Sequence, residues 1–271
     1  MLISVITVNY NNKAGLERTL QSLYEQSFSD FEVIVIDGGS TDGSRLVIES
    51  NNLKIAFWVS EKDNGIYHAM NKGIHMARGR FLFFLNSGDV LYNNAVFKNV
   101  EPYLSNSELI YGNLMISEPV RNWEKKYNEP LSVEYFTRDT LPHQGSFIDK
   151  TLFERIGLYD ESLKIVADWK FFLEAVCIYN VNTLYVDSII SYYDYTGLSS
   201  RPEFYALQAK EKRTVLSNLF PMYIDSIYEL HTLREKKNFY DSFSNDFLVQ
   251  KYFALKLKWR AVKKRFFRQI H

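Results

Sequence analysis

Short runs of apolar, β-branched and aromatic residues recur through the N-terminal third of the chain. They lie at Ile3–Val8, Phe31–Ile36, Ile55–Val59 and Phe81–Leu85, each bounded by polar residues or Gly. Near-continuous rather than alternating apolar character marks strands buried on both faces. Between the runs, Leu16, Leu20, Leu23 and Tyr24 keep helical spacing, as do Ile66, Met70, Gly73, Ile74 and Ala77. Strand–helix–strand alternation at this spacing predicts βαβ units, and so an α/β fold with a mainly parallel sheet flanked by helices.

The pattern changes after residue 105. Leu109–Tyr111, Leu114–Ile116 and Val120–Trp123 are short runs separated by turn chemistry, which predicts antiparallel additions to the sheet. Helical patterns over 150–156 and 167–179 precede strand-like Thr183–Val186 and Ile189–Tyr195. From Glu203 onward the pattern is helical, with Pro221 as a break. The expected organisation is a mixed α/β domain over 1–200 and a helical C-terminal extension over 201–271.

With 46% hydrophobic and 24% charged residues the chain can bury a sizeable core. Lys+Arg and Asp+Glu both number 32, so net charge offers no argument for a nucleic-acid partner. The lone Cys177 excludes an internal disulfide framework and a Cys-based zinc site, which fits a reducing compartment. No apolar run is long enough to span a bilayer, and no basic segment precedes a long apolar run at the start. A soluble cytoplasmic protein is expected.

Loops at the carboxyl ends of the predicted strands carry the unusual residues, and ligands of open α/β sheets bind outside those ends. The first loop holds Thr7, Asn9, Tyr10, Asn11 and Asn12; it is either a polar ligand edge or a helix N-cap with a turn. The second, Asp37 to Ser44, has paired glycines that allow close backbone approach, and a carboxylate able to accept hydrogen bonds from a base or ribose. Ser40, Thr41 or Asp42 there can also cap the next helix. The third runs from Ser60 through Asp63 to Asn71 and Lys72, where a lysine meets a diphosphate or is simply a solvated helix charge. The fourth is Asn86-Ser87-Gly88-Asp89: an acid just past an apolar strand is a natural ligand for a hard cation, or else a cap.

Taken together, SVITVNYNN (Ser4–Asn12), VIVIDGGSTDGS (Val33–Ser44), EKDNGIYHAMNKGI (Glu61–Ile74) and FLFFLNSGD (Phe81–Asp89) are far more specific than any one loop. With PHQGSFI (Pro142–Ile148), IGLYDE (Ile156–Glu161) and ADWKFFLEA (Ala167–Ala175), their order and spacing resemble the family 2 glycosyltransferases. The resemblance covers roughly residues 2–197 and is nearest to bacterial enzymes that add sugars to O-antigen, capsule or exopolysaccharide units. It implies a GT-A fold and inverting transfer from a nucleoside diphosphate sugar to an acceptor hydroxyl. It also implies a divalent metal (Mn or Mg) and a lipid-linked acceptor, such as a polyprenyl-diphosphate-linked saccharide. By this resemblance Asp168 holds the general-base position and Asp89 belongs to the metal-binding acidic motif. Thr7, Asn9, Tyr10, Asp37, Gly38, Asp63, Asn71, Lys72, Asn86 and Ser87 line the donor site. His143 is either a contact to the metal–diphosphate or acceptor, or a hydrogen-bonded structural residue. Asp160-Glu161 lines the acceptor pocket or caps a helix.

Departures from the family pattern are equally specific. Asn86-Ser87-Gly88-Asp89 stands where Asp-x-Asp-Asp is common, leaving one acid of three. Gly38 replaces a second Asp that contacts uracil in relatives, so a uridine donor is only favoured. Met70 replaces an Arg, for which Lys72 is the nearest substitute in charge, and Ala167 replaces a Glu. The pattern fits a divergent subgroup; the competing class is a non-catalytic nucleotide-sugar binding or scaffold module. A processive synthase would need membrane spans and Gln-x-x-Arg-Trp, and an NAD enzyme a Gly-x-Gly-x-x-Gly after the first strand; both are missing.

The tail adds a separate signal. Residues 251–271 carry eight Lys or Arg and no acid, leaving −8 for residues 1–250. Leu248, Tyr252, Leu255, Trp259, Val262, Phe266 and Ile270 recur at helical spacing. A basic helix with such a stripe over 245–271 is suited to lie on an anionic membrane surface, or to pack on the domain or a second subunit with its charges in water.

Overall fold

The computed structural model describes residues 1–118, 121–194, 201–244 and 251. The tail segment 245–271, apart from Lys251, lies outside the described residues, as do Val120 and Tyr195 of the expected strands. Packing divides the chain into a unit Met1–Leu219 and a unit Phe220–His271.

The first unit is built on a nine-stranded sheet. Its parallel half comprises β1 (Ile3–Asn9), β2 (Phe31–Asp37), β3 (Phe57–Ser60) and β4 (Phe81–Phe84), in spatial order β3-β2-β1-β4. Helices α1 (Lys13–Tyr24), α2 (Ser44–Ser50) and α3 (Ile66–Met76) make the crossovers. Every residue of β1 is buried, as a strand covered on both faces requires. The order reverses between β1 and β4, which opens the crevice expected at a topological switch point. In register, Asn9 pairs with Asp37 and Asp37 with Ser60, so these side chains share one row at the carboxyl edge.

The remainder of the sheet runs β8 (Ser146–Asp149), β6 (Leu109–Ser117), β9 (Thr183–Asp194), β5 (Val90–Leu91), with β7 (Asn122–Lys125) on β6. Of the expected antiparallel additions, the third run corresponds to β7, which begins at Asn122 and pairs antiparallel with β6; β8, also antiparallel to β6, is a strand the sequence pattern does not announce. The two runs Leu109–Tyr111 and Leu114–Ile116 form a single strand, however, and the Gly112-Asn113 between them is no turn. A Cβ on Gly112 would stand 2.6 Å from the Ser188 carbonyl oxygen, so Gly there permits β9 to approach. Asn113 is fully buried and its amide donates to Glu124 and Asp187. Likewise Thr183–Val186 and the described part of the run that begins at Ile189 merge into one strand, β9, with a register shift opposite Asn113.

β4 pairs antiparallel with β8, Phe83 opposite Phe147 with rings stacked at 4.7 Å. The reversal brings the start of β8 to the carboxyl edge of the parallel half. Then α4 (Val96–Val100), α5 (Val133–Arg138), α6 (Thr151–Ile156) and α7 (Ala167–Cys177) cover the sheet, and α8 (Tyr205–Leu219) closes the unit. The second unit contains α9 (Ile224–Ser244). Among the described residues no helix is long and apolar enough to cross a membrane.

α3 lies unusually close to β1. A Cβ on Gly73 would strike Ile6 Cγ2, which a buried β-branched side chain cannot swing aside. Gly73→Ala adds about 1 kcal/mol of helix propensity, but overpacking costs about 1–3 kcal/mol. The balance favours a lower melting temperature, by about 2–4 °C in a unit of this size. A thermal denaturation at or above wild type would mean that α3 is free to shift over β1.

Candidate active site

The first two strand-end loops are fastened to each other. Asp37 is fully buried, and its carboxylate accepts from Asn9 Nδ2 (2.6 Å), Ser40 Oγ (2.5 Å), Ser40 N (3.0 Å) and Ser60 Oγ (2.6 Å). Burial pushes its pKa up, yet these donors outweigh burial and hold it below the usual range. The charge therefore organises the edge from within. Asn11, at φ 48°, takes Thr41 N–H on its Oδ1, and Asp42 accepts from Lys13 N and from Ser44 at the start of α2. Asn12 caps α1 through Gly15 N–H and donates to the Ser87 carbonyl, linking the first loop to the fourth. Tyr10, 67% exposed, stands on the rim, whereas Thr7 is fully buried with an unpartnered hydroxyl among the described residues.

Gly38 has a specific neighbour. A Cβ there would stand 2.6 Å from Asp63 Oδ2 and 3.2 Å from the Tyr10 ring. The carboxylate absent from position 38 is thus replaced in space by that of Asp63, whose other oxygen accepts Gly65 N–H at 2.9 Å. Asn71 and Lys72 take different positions. Asn71 is buried and uses its amide on Tyr159 and Glu161, fixing α3 to that loop. Lys72 is ion-paired with Glu61 at 2.6 Å. Asp160 accepts from Ser162 N–H, closing the turn at residues 161–162, and from Lys170 Nζ of α7; no helix starts at that turn, so the expected helix cap is not formed.

The fourth loop meets the later half of the chain at two points. Asp89, 6% exposed, accepts Asp194 N–H on Oδ1 at 3.0 Å, because β5 and β9 pair with Val90 opposite Tyr192. Burial is the main reason its pKa rises to about 7; the Asp194 N–H and His143 pull it down, and the Asp194 carboxylate pushes it up. Asp194 also faces Arg18 at 3.8 Å. Asn86 Nδ2 lies 3.2 Å from His143 Nε2, and His143 Nδ1 lies 3.0 Å from Asp168 Oδ2. An ionised Asp168 only accepts, so Nδ1 carries the proton it donates; in the neutral tautomer Asn86 then donates to Nε2. The β4–β8 register explains the meeting: chain leaving β4 and chain entering β8 occupy the same edge.

Asp168 opens α7, where an acid also complements the helix dipole. Its Oδ1 accepts Trp169 N–H at 2.9 Å and lies 2.8 Å from the Tyr67 hydroxyl, which is also 2.7 Å from the Ile165 carbonyl. Burial opposes the charge, but His143, Tyr67 and Trp169 N–H offset it, so Asp168 stays below the usual carboxylate range. Burial and Asp168 in turn keep Tyr67 protonated. The line Asn86–His143–Asp168–Tyr67 joins four separate segments. Sequence reasoning misses Tyr67 and Asp194; a Tyr in the first turn after Gly65, and an acid within an otherwise apolar run, are their only signals.

A polar strand-end edge with a buried acid, Asp89, and a hydrogen-bonded His143–Asp168 pair is an arrangement suited to group transfer. Comparison with known proteins agrees. The family model for glycosyl transferase family 2 matches residues 4–157. An uncharacterized glycosyltransferase of Mycobacterium tuberculosis is 34% identical over 215 residues, 74% of this chain and 78% of that one. A PGL/p-HBAD biosynthesis glycosyltransferase of Mycobacterium bovis is 30% identical over 216 residues, 73% and 79% of the two chains. Among solved structures, S. aureus TarS 1–349 in complex with UDP-GlcNAc has a TM-score of 0.66 at 19% identity, covering 86% of this chain and 72% of that one. The mannosyltransferase PcManGT of Pyrobaculum calidifontis, in complex with GDP-Man and Mn2+, has a TM-score of 0.63 at 14% identity, over 95% and 79%. The chain belongs to glycosyltransferase family 2, and its fold is of the GT-A type.

Gly38→Asp should destabilise the fold by setting a carboxylate against Asp63, and Asp63→Ala should relieve much of that loss. A double-mutant cycle by chemical denaturation is expected to give a coupling of about 0.5–3 kcal/mol. Additive effects would separate the two positions.

Proposed function

We propose that the chain is an inverting transferase that moves one sugar from a UDP-sugar to a hydroxyl of a lipid-linked saccharide in bacterial surface-polysaccharide synthesis. The observation that carries this reading is Asp168, ionised in the cleft and tied through His143 to the donor-side loop at Asn86. Asp168, oriented by His143 and Trp169 N–H, takes the proton of the acceptor hydroxyl. The hydroxyl oxygen attacks the anomeric carbon as the bond to the diphosphate breaks, in line and with inversion. Uridine is favoured because TarS has been solved with UDP and with UDP-GlcNAc, although the PcManGT neighbour holds GDP-Man.

A divalent cation, Mn or Mg, fits the Asp89 end of the cleft. Its carboxyl is buried beside a second carboxylate, and Oδ2 accepts no hydrogen bond among the described residues. Those residues contain no group of three His, Cys, Asp or Glu able to hold an ion alone, so donor phosphate oxygens would complete the coordination. Asp89 and Asp194 are the residues that would hold it. When bound, such an ion supplies charge compensation for the leaving diphosphate.

Peripheral attachment to the inner face of the cytoplasmic membrane through residues 245–271 completes the proposal. It is supported by the eight basic residues of 251–271, each worth about 1 kcal/mol near an anionic surface. Salt-sensitive sedimentation with anionic vesicles, abolished by truncation after Ser244, is the expected result; equal supernatant fractions at low salt would oppose it.

Asp168→Asn should lower turnover about 10²–10⁴-fold with donor affinity retained. Radiolabelled transfer and donor calorimetry read the two separately, and near-normal turnover removes Asp168 from the role. Asp89→Ala should abolish the manganese-dependent part of UDP binding, and Asn86→Ala should do less. Equal manganese-dependent affinity in wild type and Asp89→Ala would contradict the metal assignment.

A further inference from the structure

α8 brings a lysine to the catalytic end of α7, and the contacts that fix it are unusually firm. Glu211, 8% exposed, accepts Lys164 N–H at 2.9 Å and Ile165 N–H at 3.1 Å. Those donors lie in the segment leading directly into Asp168. Val215 and Leu216, one turn further along α8, are buried. Lys212 follows Glu211, and its Nζ stands 5.0 Å from the centre of the Trp169 ring. That ring is itself held: Trp169 is 2% exposed and its indole N–H donates to the Phe136 carbonyl at 2.8 Å.

Lys212 is half-buried and makes no hydrogen bond or ion pair among the described residues. The charged groups facing it are Asp139 at the end of α5, Asp168 on α7 and Lys125 on β7. Both acids already have partners: Lys125 pairs with Asp139 at 2.7 Å, and His143 with Asp168 at 3.0 Å. Burial lowers the Lys212 pKa to about 8, Asp139 and Asp168 draw it back up, and Lys125 opposes them. A desolvated ammonium without its own counter-ion is unfavourable for the folded chain alone. It becomes favourable when an anion arrives.

We propose that Lys212 receives an anionic group, phosphate or carboxylate, carried by the acceptor, and so sets the acceptor hydroxyl at Asp168. This rests on the transferase reading above. Asp89 and its loop serve the donor diphosphate; Lys212 comes to Asp168 from a different element and supplies the matching charge for the acceptor. The ring of Trp169, the residue next to Asp168, holds the Lys212 ammonium over its face, so an anion bound there lies beside the residue that follows the base.

The test uses the full chain saturated with UDP and Mn2+, so that the donor site is filled. Geranyl diphosphate and glucuronate are titrated as probes of a lipid-borne phosphate and an acidic sugar. Wild type is expected to bind at least one of them, with at least a tenfold loss in Lys212→Met, which keeps an unbranched apolar stem and removes the charge. Lys212→Arg should restore binding. The wild-type affinity should fall as pH rises through about 8, where Lys212 loses its proton, and the Lys212→Arg affinity should not. The probe whose affinity depends on Lys212 identifies the source of the anion. Binding of neither probe, or binding unmoved by Lys212→Met, overturns the proposal, and Lys212→Arg decides should the Met variant fail to fold. Donor hydrolysis by wild type is measured alongside. Its absence with Lys212-dependent binding would retain Lys212 as an anion site and remove the catalytic reading. Its presence with Lys212-independent binding would remove this inference alone.

Discussion

Antiparallel pairing of β8 with β4 is the constraint on which the site depends. A wholly parallel continuation would have sent the next strand's entry to the opposite edge of the sheet, away from every ligand-binding loop. Reversing direction at this seam places Pro142–Gly145 beside Asn86. The seam is secured by aromatic packing, with the Arg80–Asp149 ion pair at its outer end. Phe83 and Phe147 stack, and Phe97 packs edge-on against both. The substantial aromatic content of the chain is thus partly the material of this joint.

Three acids at one edge, two buried and one partly so, are treated in opposite ways by their surroundings. Asp37 and Asp168 lose solvation but gain enough donors to remain charged. Asp89 gains a single N–H and meets a neighbouring carboxylate, so it stays near neutrality in its titration. Carboxylates that receive several hydrogen bonds are rigid structural charges, whereas one that lacks them responds to what binds beside it. In the proposed transferase, a division of labour between organising the edge, accepting a proton and holding a cation would follow from the number of donors each acid meets.

The parallel half was legible because its signals are local: apolar runs, helical spacing and polar strand ends sit within a few residues of each other. Where pairing is distant the sequence was silent. Ser146–Asp149 is half polar and only four residues long, and nothing in it announces a central strand. Gly112-Asn113 and Asp187-Ser188 resemble turns, yet both lie inside strands, because Asn113 satisfies its amide on Glu124 and Asp187 across the sheet. At the site, Asp168, His143 and Asp89 could be named from motif position, but the Asp168–His143 contact could not, since it depends on the β8 reversal. Asn71 shows the converse: a residue in a specific motif whose polar groups serve the Tyr159–Glu161 loop.

The Tyr67 hydroxyl has one proton and two acceptors, the Ile165 carbonyl at 2.7 Å and Asp168 Oδ1 at 2.8 Å. With Asp168 ionised, the carboxylate is the stronger attractor; once Asp168 is protonated, the carbonyl is the better one. A reaction that protonates Asp168 therefore re-aims a second hydrogen without moving any heavy atom. Two exchangeable hydrogens change their bonding in the same event, so deuterated solvent would slow such a step through both, and its rate against deuterium fraction would curve rather than run straight.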